Sequence, residues 1–447
     1  MNNLDTIAAI ATPPGNGGVG IIRISGPKAS KIAQKLTGNT SLIARLAKFS
    51  VFRDNNQNVI DSGICIYFPA PNSFTGEDII ELQGHGGAVV MDMLLKAVLN
   101  LGARQANPGE FSERAFLNNK IDLAQAEAIA DLITSSTEQS VRSAQQSMQG
   151  VFSNQINELV ETLTHLRIYV EAAIDFTDEE IDFLSEGGIN QKLTTLLSKI
   201  QQIQNTAKQG RLLHDGMTVV LAGKPNAGKS SLLNKLAGHE AAIVHEMAGT
   251  TRDILRERIQ IDGMPLHIID TAGIRESDNA VEQEGIRRAQ IELQKADKIL
   301  LLIDSRESDS SELLSFLPEK IHVTKLYNKI DLLGIEPKIE TIHEETHIYL
   351  SIKTGAGLDL LTEHLKQSVG FNESTENVFI ARRRHIDALT RAHFSIENAL
   401  IQLSTGQNPE LIAEDLKLAQ NDLAEITGKF TSDELLGRIF SSFCIGK

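Results

Sequence analysis

The chain has almost no cysteine: Cys65 and Cys444 are the only two in 447 residues. That excludes a disulfide framework, and two isolated thiols suit a reducing compartment. No stretch reaches the ~18 uninterrupted apolar residues of a bilayer span, and the opening MNNLDTIAAIATPPG has no basic segment ahead of its apolar residues, so neither a membrane span nor a secretory leader is expected. Internal repeats and low-complexity tracts are absent too. Positive charge is not in excess either: 43 Lys and Arg against 58 Asp and Glu give a formal charge of −15, which opposes indiscriminate attraction to phosphate backbones. Any nucleic-acid contact must be local, and the expected setting is the cytoplasm, away from membranes.

What is present falls into segments. The length exceeds one ordinary core and suggests about three domains. Residues 1–118 mix β-rich runs (Thr6 to Ala11, Val19 to Ser25, Ile64 to Phe68, Ile79 to Leu82) with glycine loops, which predicts an α/β or α+β domain. From Ile121 the texture becomes helical. Ile156, Leu159, Val160, Leu163, Leu166 and Val170 make one stripe, and Leu193, Leu196, Leu197, Ile200 and Ile203 another. At Met217 strands begin to alternate with helices, and after about Gly370 helical stripes return: Ile386, Leu389, His393, Ile396, Leu400 and Leu403, then Ile412, Leu416, Ala419, Leu423 and Ile426. Each stripe needs a partner face. One helical domain built from both flanks (119–215 and 371–447), with residues 216–370 inserted as a unit whose ends lie close together, meets that need.

The inserted segment carries the chemistry. Thr218 to Ala222 reads as a buried strand, Gly223-Lys224-Pro225-Asn226-Ala227-Gly228-Lys229-Ser230 follows at once, and Ser231 to Ala237 reads as a helix. This is a P-loop in its strand-loop-helix context. Glycines let main-chain N–H groups curl around phosphates, the helix N-terminus adds positive dipole, Lys229 offers a point charge to the β and γ phosphates, and Ser230 can ligate magnesium. A second strand, Leu266 to Ile269, ends in Asp270-Thr271-Ala272-Gly273, where Asp270 can reach the magnesium shell and the Gly273 amide can sense the γ-phosphate. The strand Ile299 to Ile303 follows, then Val323 to Tyr327 leading into Asn328-Lys329-Ile330-Asp331, then Ile348 to Leu350 leading into Ser351-Ile352-Lys353. Asp331 would accept from guanine N1–H and its exocyclic amine; adenine has no such donor pair and would leave a carboxylate unsatisfied. The base is expected to be guanine. In Gly249-Thr250-Thr251-Arg252-Asp253 a threonine hydroxyl, Thr251 ahead of Thr250, can close over magnesium when the γ-phosphate is present.

After Gly273 the chain reads Ile274-Arg275, where Ras-like switches have a water-orienting glutamine. Another group must position the water, and Glu276, Asp278, Glu282 and Glu284 are all candidates beside the simpler reading of a solvated acidic face.

These loops, with Phe443-Cys444-Ile445-Gly446-Lys447 at the end, PGNGGVGIIRISG (14–26), ELQGHGG (81–87), PGEFSERAFLNNKIDLAQAEA (108–128) and Ala381-Arg382-Arg383-Arg384-His385, resemble the MnmE (TrmE) family of tRNA modification GTPases over essentially the whole chain. The G-domain loops alone would point only to the wider superfamily. The resemblance implies a multidomain α/β plus α protein with an N-terminal α+β folate-binding domain that forms a homodimer, a discontinuous helical domain, and an inserted Ras-like, potassium-activated G domain. It further implies a hetero-oligomer with an MnmG-type FAD flavoprotein that attaches a carboxymethylaminomethyl or aminomethyl group to C5 of the wobble uridine of certain tRNAs.

Site residues are carried over by position. GTP would contact Asn226, Ala227, Gly228, Lys229, Ser230, Ser231, the run His245, Glu246, Met247, Ala248, Gly249, Thr250 and Thr251, then Asp270, Thr271, Ala272, Gly273, Asn328, Lys329, Asp331, Ser351, Ile352 and Lys353. Magnesium and potassium would draw on Asn226, Ser230, His245, Met247, Thr250 and Thr251, with the potassium contacts of the 245–250 loop coming largely from main-chain carbonyls. The water-orienting glutamate of the family falls on Glu282. A reduced folate, 5-formyl- or 5,10-methylene-tetrahydrofolate, would be held by Arg23, Glu81, Lys120 and Lys447, with Cys444 nearby for one-carbon chemistry. A pterin's amine and ring N–H suit the Glu81 carboxylate, and folate carboxylates suit Arg or Lys; taken singly, each of these residues also reads as a surface charge or structural ion pair. Arg382 to Arg384 could meet tRNA phosphates locally or form a solvated helix face. Two rival readings remain open at this point: a ribosome-assembly GTPase acting as an RNA-binding switch, although no GxxG loop in a KH-like setting follows residue 370, and a folate-sensing switch without modification activity.

Overall fold

The computed structural model describes residues 5–175, 188–239, 256–270, 296–307, 322–371, 378–405, 409–429 and 433–446. The described strands are β1 (Ile7–Ile10), β2 (Gly17–Ser25), β3 (Lys48–Arg53), β4 (Val59–Phe68), β5 (Ile79–Gly86), β6 (Arg104–Gln105), β7 (Met217–Gly223), β8 (Arg256–Ile261), β9 (Met264–Asp270), β10 (Lys298–Asp304), β11 (Val323–Asn328), β12 (Lys338–Ile342) and β13 (Glu345–Tyr349). The described helices are α1 (Ala29–Thr37), α2 (Ala88–Asn100), α3 (Glu110–Leu117), α4 (Leu123–Thr134), α5 (Glu138–Met148), α6 (Val151–Asp175), α7 (Ile189–Asp215), α8 (Lys229–His239), α9 (Leu358–Ser368), α10 (Arg383–Ser404), α11 (Pro409–Thr427) and α12 (Asp433–Ser441). Contacts group the chain into two units: 1–130 with 148–190 and 394–447, and 131–147 with 191–393. Among the described residues no helix is long and apolar enough to cross a membrane.

The first unit holds a six-stranded sheet, β3-β4-β5-β2-β1-β6, antiparallel except for the β1–β6 pair. Side chains alternate across a strand, so Ile22, Ile24, Ile80 and Leu82 pack with Ile32 and Leu36 of α1 and Leu94 and Val98 of α2. Arg23 and Glu81, which face each other in the β2–β5 register, fall on the opposite face. There Ile7, Ala9, Ala106 and Phe111 form a smaller core. Arg114 of α3 is 1% exposed and is ion-paired to Asp5, Glu77 and Glu110. A buried guanidinium without such partners would be far too costly; Glu110 pairs within α3 itself, and Asp5 and Glu77, from distant parts of the chain, dock the helix in one orientation. Glu110 also receives Arg104, which gives the PGEFSERAF stretch a structural reason.

The C-terminal segment closes on this unit. Ile439, Phe440 and Phe443 pack with Leu123 and Ala126. Gly109 is left-handed, and a Cβ there would lie 2.5 Å from the Phe440 oxygen, so only glycine lets α12 approach this closely. The helical flanks also meet: Arg167 of α6 donates to Gln420 of α11, and Gln420 donates to Thr164. The predicted stripes on α6 and α11 are buried throughout. On α10 the buried face is turned from the predicted one. Ala388, Leu389, Ala392, Ser395, Ile396 and Ala399 are inside, whereas Ile386, His393 and Leu400 are only half-buried. Small residues allow close helix approach, and a stripe count of large apolar side chains misses them.

The second unit is built on a seven-stranded sheet, β12-β13-β11-β10-β7-β9-β8, parallel except for the β8–β9 and β12–β13 pairs. The central strands are buried on both faces, which is why they read as continuous apolar runs. Val219, Leu221, Leu300, Leu302, Leu326 and Ile348 meet α8 and α9 on one side, and Val220, Ala222, Ile299, Leu301 and Ile303 form the other. At the chain entry into β7, His214 of α7 hydrogen-bonds Asp131 at 3.0 Å and Asp215 at 2.6 Å. Burial opposes a charged ring, but these two carboxylates override it and raise the imidazole to about 9, so His214 is a cation at neutral pH.

Candidate functional site

Every described nucleotide loop leaves the same edge of the second sheet. β7 ends at Gly223, residues 224–228 turn, and α8 starts at Lys229. The turn demands glycine at both ends: a Cβ at Gly223 (φ +152) would lie 2.6 Å from the Leu302 oxygen, and one at Gly228 (φ +111) 2.6 Å from Asn328 Nδ2. Asn226, at φ 64, bends the loop between them. Lys229 turns its ammonium back into the loop, donating to the carbonyls of Gly223 at 2.7 Å and Lys224 at 3.1 Å. A cation held over a turn that opens a helix is the makings of a phosphate cradle. Ser230 and Ser231 lie exposed in the first turn of α8.

Asn328, 3% exposed, joins three loops. Its Nδ2 donates to the Ala227 carbonyl at 2.8 Å, and its Oδ1 accepts from the main-chain N–H of Lys329 at 2.8 Å and of Ile352 at 3.1 Å. Lys329 is left-handed, and its Nζ donates to the Asn226 carbonyl at 3.0 Å. Asp331 accepts from Ser351 Oγ at 2.6 Å; Lys353 is exposed in the next turn. Asn226, Ala227, Gly228, Lys229, Asn328, Lys329, Asp331, Ser351 and Ile352 are thus linked into one cluster. Asp270 ends β9, paired in register with Leu221 of β7. His245, Glu246, Met247, Ala248, Gly249, Thr250, Thr251, Thr271, Ala272, Gly273 and Glu282 lie outside the described residues. Sequence reasoning missed Asp304, the last residue of β10, whose Oδ2 accepts from Lys329 Nζ at 2.7 Å. The available signal was a carboxylate ending an apolar parallel strand, at the edge where such sheets bind ligands. Among the described residues no cluster of three or more His, Cys, Asp or Glu side chains could hold a metal ion.

A second cluster sits in the first unit. Arg23 donates through Nε and Nη2 to Glu81 Oε1 at 3.1 and 3.0 Å, and through Nη1 to the Gly446 carbonyl at 3.3 Å. Gln83 donates to the other Glu81 oxygen at 3.3 Å. Phe74 and Phe111, absent from the sequence-based site, lie about the guanidinium with ring centroids 6.0 and 5.8 Å away. Gly446 is left-handed against the end of β1, where a Cβ would lie 2.5 Å from the Ile10 oxygen. Cys444 is exposed, and its carbonyl accepts from the Gly109 N–H at 3.3 Å. Cys65 is buried, which pushes its thiol up to about 11, so it is no competing nucleophile. Lys120 is exposed and runs along Gly76, in the loop that carries Phe74; Lys447 lies outside the described residues. The Arg382 to Arg384 run does not form one solvated face: Arg382 is paired to Asp131, while Arg383 is exposed.

Residues 6–120 match the family described as the GTP-binding protein TrmE N-terminus, and residues 123–444 match the MnmE helical domain. A tRNA modification GTPase MnmE of Proteus mirabilis (strain HI4320) is 56% identical over 455 residues, covering 100% of both chains. The protein of the same name from Histophilus somni (strain 129Pt) is 57% identical over 450 residues, covering 99% of each. Among solved structures, the G domain of the T. maritima FeoB iron transporter is similar at 25% identity over 34% of this chain and 96% of that one, with a TM-score of 0.26.

Proposed function

The chain belongs to the MnmE family of tRNA modification GTPases and is a GTP hydrolase; from that membership we propose that, with an MnmG-type FAD flavoprotein, it installs a carboxymethylaminomethyl or aminomethyl group at C5 of the wobble uridine of certain tRNAs. The observation that carries the nucleotide half of this reading is the Asn328 junction, which ties the P-loop, the Asn328 to Asp331 loop and the Ser351 to Ile352 turn together. Lys229 meets the β and γ phosphates, exchanging its two loop carbonyls for phosphate oxygens, and Asp331 reads guanine with Ser351 fixing its carboxylate. Glu282 orients the attacking water. Domains follow the boundaries 1–118, 119–215, 216–370 and 371–447, and the protein works as a cytoplasmic homodimer that touches tRNA locally.

The donor sets fit the implied ions. Magnesium, when bound, neutralises phosphate charge; the Ser230 hydroxyl, Thr251 and the Asp270 carboxylate are hard oxygens suited to it. For potassium, the Asn226 side-chain oxygen is a neutral hard donor that suits a monovalent cation, with His245, Met247 and Thr250 completing the set. The Arg23–Glu81 pair suits a reduced folate: Glu81 Oε1 accepts from the Arg23 guanidinium and Oε2 from Gln83, and both oxygens have lone pairs left for pterin N–H groups, while Lys120 and Lys447 suit its carboxylates. Cys444 stands on the segment that reaches Arg23.

Two measurements test these assignments. Nucleoside analysis of tRNA from cells lacking the protein should show loss of the C5 substituent at the wobble uridine; an unchanged nucleoside profile would favour a ribosome-assembly or folate-sensing switch instead. Equilibrium binding of 5-formyltetrahydrofolate should be lost in Glu81→Ala while circular dichroism stays native. Equal binding by both proteins would refute the folate site.

A further inference from the structure

Asp304 is an acid that the chain buries at the nucleotide edge of the sheet, its side chain only 9% exposed. Two cations share it. Oδ2 accepts from Lys329 Nζ at 2.7 Å and from Arg306 Nη2 at 2.6 Å, and Oδ1 accepts from Arg306 Nε at 3.0 Å. The Arg306 hydrogen bonds, with Lys329 adding to them, hold the carboxyl well below the usual range, so it is ionised at any working pH. The two cations differ in what else they do. Arg306 is 53% exposed and pairs largely in water, where such contacts are weak. Lys329 is 27% exposed, and its ammonium also reaches the Asn226 carbonyl. A lysine ammonium is a mobile point charge on a flexible stem; two acceptors, the Asp304 carboxylate and the Asn226 carbonyl, hold it in one place.

We propose that Asp304 is a positioning residue for nucleotide retention: it holds the Lys329 ammonium against the Asn226 carbonyl, locks the base-reading loop to the phosphate loop, and so sets the rate at which guanine nucleotide leaves. This rests on the reading of Asn328 to Asp331 as the base-reading loop. With the lock in place, Lys329 and the P-loop move as one wall of the site. Without it the ammonium is tethered by one acceptor only, and the two loops part more often. Contacts that hold a complex closed act mainly on dissociation, so release and not capture should change. Arg306 fixes the plane of the carboxylate and leaves its Oδ2 turned to Lys329.

The test uses the full-length protein loaded with a fluorescent GDP analogue, with release followed by stopped flow after an excess of unlabelled GDP. Removing a charged hydrogen-bond acceptor in Asp304→Ala should speed release about tenfold, and Asp304→Asn, which keeps the shape and a neutral acceptor, should speed it about threefold. Because Asp304 acts through Lys329, the double variant Asp304→Ala/Lys329→Ala should release no faster than Lys329→Ala alone, the non-additivity of two groups in one interaction. A purely structural role would instead multiply the two effects, and that result would overturn the proposal. Wild-type release from a correctly folded Asp304→Asn would overturn it as well. A wild type that fails to retain the GDP analogue at all would bring down the loop assignment itself, an outcome distinct from retention with unchanged release.

Discussion

GTP hydrolysis by the full-length protein is expected to be fast in potassium, slower by ~10³-fold in sodium at matched ionic strength, and indifferent to the choice of salt in Asn226→Ala, an effect on the scale that an arginine finger supplies elsewhere. Charge builds on the oxygen between the β and γ phosphates as the bond breaks, no glutamine follows Gly273, and some positive charge must answer it. Asn226 stands in the P-loop at φ 64, with its main-chain carbonyl engaged by Lys329. Its side-chain amide oxygen is a neutral hard donor that suits a monovalent cation. A smaller ion would draw the surrounding oxygens inward and fit poorly. The wild type alone should also show potassium-dependent association of G domains in the presence of a transition-state analogue, read by fluorescence energy transfer between labels on the two G domains of the dimer. Equal wild-type rates in the two salts would remove the cation from the mechanism and leave the hydrolase assignment intact.

Asp331→Asn should weaken GTP binding by ~10³-fold or more, because a site built to pair with a ligand's N–H groups rejects partners that leave those groups unmatched. The structure adds a direction to this. Ser351 Oγ donates to Asp331 Oδ1 at 2.6 Å. In the variant that hydroxyl will hold the amide oxygen and turn the amide NH₂ toward the base, where guanine presents donors and xanthine presents a carbonyl. Xanthosine nucleotides should gain affinity as GTP loses it. Titration of fluorescent nucleotide analogues reads both changes at once, and unchanged GTP affinity would sink the base assignment.

Much of the second sheet could be read directly. Its central strands, such as Lys298–Asp304, are covered on both faces and so appear as unbroken apolar runs. The strands that escaped reading are at edges: Arg256–Ile261 and Lys338–Ile342 carry charges along their length, as edges commonly do, and show no clean alternation. Lys48–Arg53, one edge of the first sheet, escaped because its apolar residues lie on both faces, Phe49 exposed and Phe52 buried beside Ser50, so hydrophobicity does not alternate. The turned face of α10 has a different cause, since Ala388, Ala392 and Ala399 are buried and a stripe traced through large apolar side chains passes them over.

The sequence alone determined the P-loop, the Asn328 to Asp331 loop and the order of the strands between them, because a phosphate-wrapping turn and a strand end are local events written in consecutive residues. It could also name Arg23 and Glu81 only through likeness to relatives. Tertiary structure decided what those residues touch. The β2–β5 register sets Arg23 beside Glu81, and a left-handed Gly446 more than four hundred residues away brings its carbonyl to the same guanidinium. The hold of Asp304 on Lys329 became visible only when parallel pairing of β10 with β7 and β11 brought the carboxylate to Lys329 beside the P-loop. Contacts of that kind depend on which strand lies next to which, and neighbouring strands in a parallel sheet are separated in the chain by whole crossovers, so no local pattern records them.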